Sequence, residues 1–196
     1  MSYDSEGLTR VDVHPGERFS TSKSLVISTL LGSCVSACLY DDTAGVSGLN
    51  HFLLAAPRYA KSMPLSHTDA GRYGIHAMEL LINDMIKLGA VRKRLKAKVF
   101  GAGSVLELKP EDRFFCVSEV NARFIREYLK TEGIALMCED LGGDLGRVIR
   151  FHTDTKKVWR RFIKKAVAVE IEEEERRYWK RALEVPADRE SKIVLF

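Results

Sequence analysis

The sequence is poor in the features that would place it outside ordinary globular proteins. Cysteine occurs four times and proline five times in 196 residues, and no segment repeats. Four scattered cysteines cannot build a disulfide framework, so we expect free thiols. The longest run without a charged residue, 24–40, is serine-rich and shorter than the ~20 apolar residues of a membrane helix. Residues 1–10 lack an apolar stretch, so no secretory signal is expected.

An excess of charge of one sign is also absent. Lys and Arg total 31 against 27 for Asp and Glu, and a net charge of +4 is too weak to indicate a nucleic-acid partner. The basic run 156–165 is interpreted as a solvated strand edge, where lysines discourage edge pairing. Hydrophobic residues make up 45% and charged residues 30%, which is typical of a chain with one substantial core. We predict a cytoplasmic protein with no membrane insertion and no nucleic-acid partner.

Hydrophobic periodicity predicts an α+β fold, a single domain with a mixed, mainly antiparallel β-sheet core (an α/β sandwich) flanked by helices. Helices are predicted at 75–88 and 118–129, the second with Ser118 as its N-cap. The segment 158–163 also fits a helix, but the turn residues directly before it favour a strand. The other strands are predicted at 25–31, 35–40, 46–54, 98–100, 134–138 and 148–151.

The remaining segments are polar. In residues 1–23, His14-Pro15-Gly16 marks a turn, and residues 55–74 are predicted to form a long loop or lid, because they are polar and contain Pro57 and Pro64. The main domain is expected to span residues 1–165. Residues 166–196 are expected to form a charged C-terminal helix, at about 166–183, and a tail. Two ion pairs four residues apart support that helix, Glu172 with Arg176 and Glu173 with Arg177.

The segment 28–34, Ser-Thr-Leu-Leu-Gly-Ser-Cys, ends an apolar strand at a turn. Backbone N–H groups at such a turn can point at a developing oxyanion. If Tyr40 pairs with Gly45 across the next hairpin, Cys34 lies directly opposite His51, within reach of a thiol–imidazole contact. A neighbouring imidazolium would lower the pKa of the thiol and make it a nucleophile. From the spacing alone, a packed cysteine and a core histidine are the more common outcome.

Zinc is the main alternative use of Cys34, Cys38 and His51. The spacing of structural zinc ligands is absent and no second ligand pair follows, so no metal is expected. Two glycine-rich segments, 101–104 and 142–146, lack the Gly-Lys-Ser/Thr of a phosphate-binding loop. They are interpreted as turns, the first placed near a substrate cleft. The other cysteines are predicted to be core residues: Cys38, Cys116 and Cys138.

Several short motifs follow one another within residues 10–165. They are Leu-Gly-Ser-Cys-Val at 31–35, Cys-Leu-Tyr-Asp at 38–41, Gly-Leu-Asn-His-Phe at 48–52, Arg-Tyr-Gly at 72–74, Phe-Gly-Ala-Gly at 100–103 and Asp-Leu-Gly-Gly at 140–143. Together they resemble the CheD family of bacterial chemoreceptor glutamine deamidases. Two positions differ from the usual pattern, because Gly-Ala-Gly at 101–103 replaces Gly-Gly-Ala and Val120 stands where arginine is common.

The resemblance implies that Cys34 is the nucleophile, that His51 is its base and that Thr29 completes the site. The family threonine aligns with Thr29 if a one-residue gap is placed before Leu-Gly-Ser-Cys, and with Ser28 if the alignment has no gap. Both residues carry a hydroxyl able to orient the imidazole. The implied activity is that of a protein-glutamine glutaminase with no cofactor. It would act on the cytoplasmic domains of methyl-accepting chemoreceptors, with cleavage of glutamyl methyl esters as a side activity.

A competing interpretation is a non-catalytic chemosensory module that docks a CheC-type phosphatase, a partner that the resemblance also implies. The presence of both Cys34 and His51 favours the enzyme, because a scaffold would not require them. A cysteine hydrolase of small amides would need a pocket selective for small ligands, and the sequence gives no sign of one.

Overall fold

The computed structural model describes residues 2–3, 7–54, 69–104 and 117–163, together with Glu173 and Arg177. Within them, ten strands form two five-stranded sheets, and two helices cover one sheet. The strands are β1 (Ser2–Tyr3), β2 (Thr9–Asp12), β3 (Arg18–Thr21), β4 (Val26–Leu31), β5 (Val35–Asp41), β6 (Val46–Asn50), β7 (Lys96–Gly101), β8 (Ala135–Leu141), β9 (Arg147–His152) and β10 (Val158–Phe162); the helices are α1 (Asp69–Lys87) and α2 (Val117–Thr131).

The two sheets have different strand orders. The first sheet runs β1-β2-β4-β9-β10 and the second runs β3-β6-β5-β7-β8. Neighbouring strands are antiparallel except for two parallel pairs, β2 with β4 and β7 with β8. This arrangement confirms the predicted α+β class with mixed, mainly antiparallel strands. The division into two stacked sheets adds to that prediction.

Two apolar layers hold the fold together. One lies between the sheets, where Ile27 and Phe151 of the first sheet pack with Cys38 of the second. The other lies between the second sheet and the helices, where Leu39 of β5 packs with Leu81 of α1. Because successive side chains of a strand point to opposite faces, β5 supplies both layers, and all of its residues are buried. This strand therefore lies at the centre of the molecule.

Helix α1 begins at Asp69, earlier than the predicted residue 75, so residues 69–74 are not the loop we expected. Gly71 and Gly74 lower the intrinsic helix propensity of residues 69–74, so the sequence pattern does not indicate a helix there. Gly74 has a packing role instead. A Cβ at this position would lie 2.5 Å from Phe124 Cζ and 2.9 Å from Leu54 Cδ2, so glycine lets α1 approach α2 closely.

Other predicted elements are confirmed with shifted ends. Residues 158–162 form a strand antiparallel to β9, as preferred over a helix. Helix α2 begins at Val117, so Ser118 lies inside the helix and is not its N-cap. Residues 1–23, where only a turn at 14–16 is predicted, contain β1, β2 and β3. These strands are two to four residues long, too short for an alternating pattern to be recognised.

The predicted helix at 166–183 lies outside the described residues, except for Glu173 and Arg177, which are both helical. There Arg177 Nε donates to the backbone carbonyl of Glu173 at 3.2 Å. The domain boundary at residue 165 therefore stays a prediction. Within the part of the chain that the structure describes, no helix is long and apolar enough to cross a bilayer.

The predicted core cysteines have different surroundings. Cys38 is buried, as predicted, and burial raises the pKa of its thiol. Cys138 is exposed, contrary to the prediction. It lies on β8, which among the described strands forms an edge of the second sheet, and residues 135–139 of this strand are all exposed. Cys116 lies outside the described residues.

Candidate active site

The register of the hairpin formed by β5 and β6 differs from the predicted one. Tyr40 pairs with Ser47, two residues beyond the predicted partner Gly45, and the turn is 42–45. The reason lies in Asp41, whose Oδ1 accepts two backbone N–H groups of the turn at 3.0 and 3.1 Å. This carboxylate caps the turn and makes Asp41 the last residue of the strand.

The corrected register still places Cys34 and His51 on the same face. Beyond the regular ladder, Val35 and Phe52 exchange two backbone hydrogen bonds of 2.9 Å. Ser36, rather than Cys34, is therefore directly opposite His51. Because side chains alternate with a period of two, a two-residue shift leaves Cys34 and His51 on one face as diagonal neighbours. That face looks into the layer between the sheets.

Thr29 reaches the same histidine from the other sheet. Its Oγ1 donates to the carbonyl of Val13 at 2.6 Å and lies 2.8 Å from His51 Nδ1. A hydroxyl has one proton, so Oγ1 accepts the second hydrogen bond from Nδ1–H. His51 thus carries its proton on Nδ1 and a lone pair on Nε2. Because strand residues alternate, Ser28 points away from this contact, and Thr29 is the hydroxyl that binds the imidazole.

The imidazole of His51 is buried and only 2% exposed. Burial lowers its pKa to about 3, and the positive potential of His14 acts in the same direction, whereas the nearby Val13 carbonyl opposes both. The ring is therefore neutral at neutral pH. This differs from the imidazolium expected beside a resting thiolate, and it describes a base ready to accept a proton.

Two buried asparagines fix the backbone around these side chains. Asn121 of α2 donates to the carbonyl of Ser33 at 3.0 Å and accepts the N–H of Leu54 at 2.9 Å. It therefore joins the turn before the cysteine to the segment after the histidine. Asn50 accepts the N–H of Ala37 at 3.0 Å. Neither residue is predicted from the sequence to have a role. For Asn121 the available signal is an amide among the apolar residues on the buried face of α2.

The segment 101–103 packs directly against the turn that carries Cys34. The N–H of Ala102 donates to the carbonyl of Cys34 at 2.6 Å, and that of Gly103 donates to the carbonyl of Gly32 at 2.7 Å. A Cβ on Gly101 would lie 2.1 Å from the Cys34 carbonyl oxygen, and its φ is +117°, so only glycine fits. The segment supports the backbone of the turn.

A buried arginine holds the next layer of this support. Arg147, which is 0% exposed, donates to Asp140 Oδ1 at 2.8 Å and binds the carbonyls of Asp140 and Gly142. The N–H of Gly142 in turn donates to the carbonyl of Gly101 at 2.9 Å. The Asp-Leu-Gly-Gly motif with its arginine therefore has a structural role, directly behind the segment that supports the turn of Cys34.

A cavity of about 210 Å³ lies beside His51, and Asn50, Phe52 and Tyr73 are among its lining residues. Burial, together with the nearby Cys34 thiol, raises the pKa of Tyr73. Among the described residues, no group of three or more His, Cys, Asp or Glu side chains could hold a metal ion.

Comparisons with known proteins show which family the chain belongs to. Residues 56–162 match the family described as CheD chemotactic sensory transduction. The chain is 48% identical to the probable chemoreceptor glutamine deamidase CheD 1 of Geobacter sulfurreducens, over 91% of this chain and 90% of the relative. It is 45% identical to the probable chemoreceptor glutamine deamidase CheD 2 of Shewanella oneidensis, over 90% of this chain and 89% of the relative. It is 49% identical to the probable chemoreceptor glutamine deamidase CheD of Rhizobium meliloti, over 72% of this chain and 74% of the relative. The chain belongs to the CheD family.

Proposed function

We propose that this protein deamidates glutamine side chains of chemoreceptors, with Cys34 as nucleophile, His51 as base and Thr29 as the residue that orients the base. The observation that carries the proposal is the 2.8 Å contact between Thr29 Oγ1 and His51 Nδ1. Because this contact holds the proton on Nδ1, the lone pair of the ring is on Nε2, in the layer between the sheets that Cys34 also faces. The names of relatives at 43–49% identity, all chemoreceptor glutamine deamidases, support the same activity.

The first half-reaction forms a thioester. His51 Nε2 takes the thiol proton of Cys34 as the sulfur attacks the carboxamide carbon of the glutamine side chain. Backbone N–H groups at the turn of Ser33 and Cys34 stabilise the oxyanion. The tetrahedral intermediate collapses, the C–N bond breaks, and His51 returns the proton to the departing ammonia. Because the buried imidazole is neutral at rest, proton transfer accompanies the attack.

The second half-reaction releases glutamate. Water gives a proton to His51 Nε2 as its oxygen attacks the thioester carbon, and the C–S bond breaks. The thiolate of Cys34 then recovers the proton. A glutamyl methyl ester could enter the same sequence with methanol as leaving group, which supports the methylesterase side activity as part of the proposal.

The partners and compartment follow from this activity. We place the protein in the cytoplasm, where the modified domains of chemoreceptors lie, and we propose a CheC-type phosphatase as an additional partner on the basis of the family resemblance. The names of the relatives support a glutamine side chain of a chemoreceptor as the substrate, rather than a small free amide.

Mass spectrometry of a chemoreceptor cytoplasmic domain after incubation with the protein tests the proposal. We expect one or more glutamines to gain the mass of a conversion to glutamate. The Cys34→Ala variant should be inactive and folded, because a methyl group replaces a small thiol at little packing cost. Its matched control is Cys38→Ala, four residues along the same strand pair, which should stay active. Unchanged receptor glutamines with the wild-type protein, or a fully active Cys34→Ala variant, would contradict the proposal.

A further inference from the structure

Two buried polar atoms beside Cys34 have no hydrogen-bond partner among the described residues. They are Ser36 Oγ and His51 Nε2, on side chains that are 0% and 2% exposed. Buried polar groups are nearly always paired, with protein or with ordered water. The base role explains the lone pair of His51, but the mechanism above gives Ser36 no role.

The strand register brings these two atoms together. Val35 pairs with Phe52 and Cys38 pairs with Leu49, so Ser36 is directly opposite His51. Since Val35 and Phe52 exchange both backbone hydrogen bonds, the next pair is of the non-hydrogen-bonded kind, in which Cα atoms are only about 4.5 Å apart. Both side chains face the layer between the sheets.

The same face also carries the reacting sulfur. Cys34 directly precedes β5 and packs with Cys38 in the layer between the sheets, and Ser36 faces the same layer because it lies two residues before Cys38 on the strand. A small molecule that accepts from Ser36 Oγ–H and donates to His51 Nε2 would therefore lie next to the thioester carbon. Water has this donor and acceptor set, and a buried water bridges polar groups that would otherwise be unpaired.

We propose that Ser36 positions the water that hydrolyses the thioester. This inference rests on the proposed function, and it assigns Ser36 to the second half-reaction only. The water accepts a hydrogen bond from Ser36 and gives a proton to His51 Nε2 while its oxygen bonds to the thioester carbon. The C–S bond breaks, and the electron pair remains on the sulfur of Cys34. The proton then passes from His51 to that sulfur, which restores the thiol.

The Ser36→Ala variant separates the two half-reactions. Loss of one hydrogen bond to the reacting water should slow thioester hydrolysis about ten-fold. Ammonia release in the first turnover should stay within about two-fold of the wild type, because the attack by Cys34 does not use this water. Rapid mixing with a chemoreceptor cytoplasmic domain should therefore show a burst of one equivalent of ammonia. Intact-mass spectrometry should show the receptor covalently bound to the variant.

A nucleophile that does not need positioning should rescue the variant. Hydroxylamine attacks thioesters directly, so it should restore turnover of Ser36→Ala and convert the glutamine to a hydroxamate. Stability should change little, because the hydroxyl that is removed has no hydrogen-bond partner in the described part of the chain, and the melting temperature should stay within about 3 °C. Ser47→Ala is the matched control, since Ser47 is another buried serine of this hairpin whose Oγ donates to the Thr153 carbonyl; it should show no burst.

The outcomes distinguish this inference from the proposed function. A wild-type protein that releases no ammonia contradicts the proposed function itself. An active wild type with a Ser36→Ala variant that shows no burst and no covalent receptor contradicts the role of Ser36 alone. Equal slowing of first-turnover and steady-state rates also contradicts it, because that result indicates a structural effect on both half-reactions.

Discussion

Acidification should destabilise the protein through His51. Its pKa is about 3 in the folded protein, against 6.5 for an exposed histidine. Between these values the unfolded chain binds a proton that the folded chain does not, so stability falls as the pH drops from about 6.5 towards 3. At pH 4.5 this single group should reduce the free energy of unfolding by about 3 kcal/mol relative to neutral pH. Urea unfolding at a series of pH values measures the loss.

A His51→Asn variant isolates the effect from carboxylates that titrate in the same range. The asparagine amide can still donate to Thr29 from the position of Nδ1, but it does not titrate. The variant should therefore lose about 3 kcal/mol less than the wild type between pH 7.5 and 4.5. The exposed His76, changed to asparagine, should leave the wild-type slope unaltered. Equal slopes for wild type and His51→Asn would refute the reasoning, and a wild type more acid-resistant than the variant would indicate an imidazolium paired with the thiolate.

Three further substitutions test the surroundings of the site. Thr29→Val should lower the deamidation rate about ten-fold, because the proton of His51 is then no longer held on Nδ1. Ser28→Ala should leave the rate unchanged, and ammonia-release kinetics compare the two variants. Asn121→Ala should lower the free energy of unfolding by about 2–5 kcal/mol, because two buried backbone groups lose their partner, and an unchanged urea midpoint would argue against it. Ala102→Gly should be neutral or raise stability by up to about 1 kcal/mol, because the residue has a φ of +53°; a lower melting temperature would show that its methyl group matters more.

The sequence predicts the central strands well and their register poorly. Apolar runs identify β4, β5 and β6, because their residues are buried on both faces or nearly so. The turn that sets the register is capped by Asp41, which accepts the N–H groups of Thr43 and Ala44. Asp41 also binds Arg94, which lies 53 residues away and which no local pattern indicates. A shift of one residue would have separated Cys34 from His51. The shift was two residues, so the side chains of Cys34 and His51 remain on the same face of the sheet.

The rest of the site could not be read from local patterns. Thr29 lies in the first sheet and meets His51 only after the two sheets stack, so the choice between Thr29 and Ser28 needed the fold. The support from Asn121 crosses 88 residues of chain to reach Ser33. Burial of His51 likewise depends on both sheets, so the neutral imidazole could not be predicted from the spacing of Cys34 and His51.

The contact between Thr29 and His51 makes the activity of the site depend on the distance between the two sheets. One partner belongs to each layer, and a hydrogen bond needs its donor and acceptor within about 3.2 Å, so a small separation of the sheets breaks this contact. A ligand wedged between the layers should therefore lower the deamidation rate about ten-fold, as Thr29→Val does, while the protein stays folded. An inhibitor needs no access to Cys34 for this purpose. It has only to separate the two layers slightly.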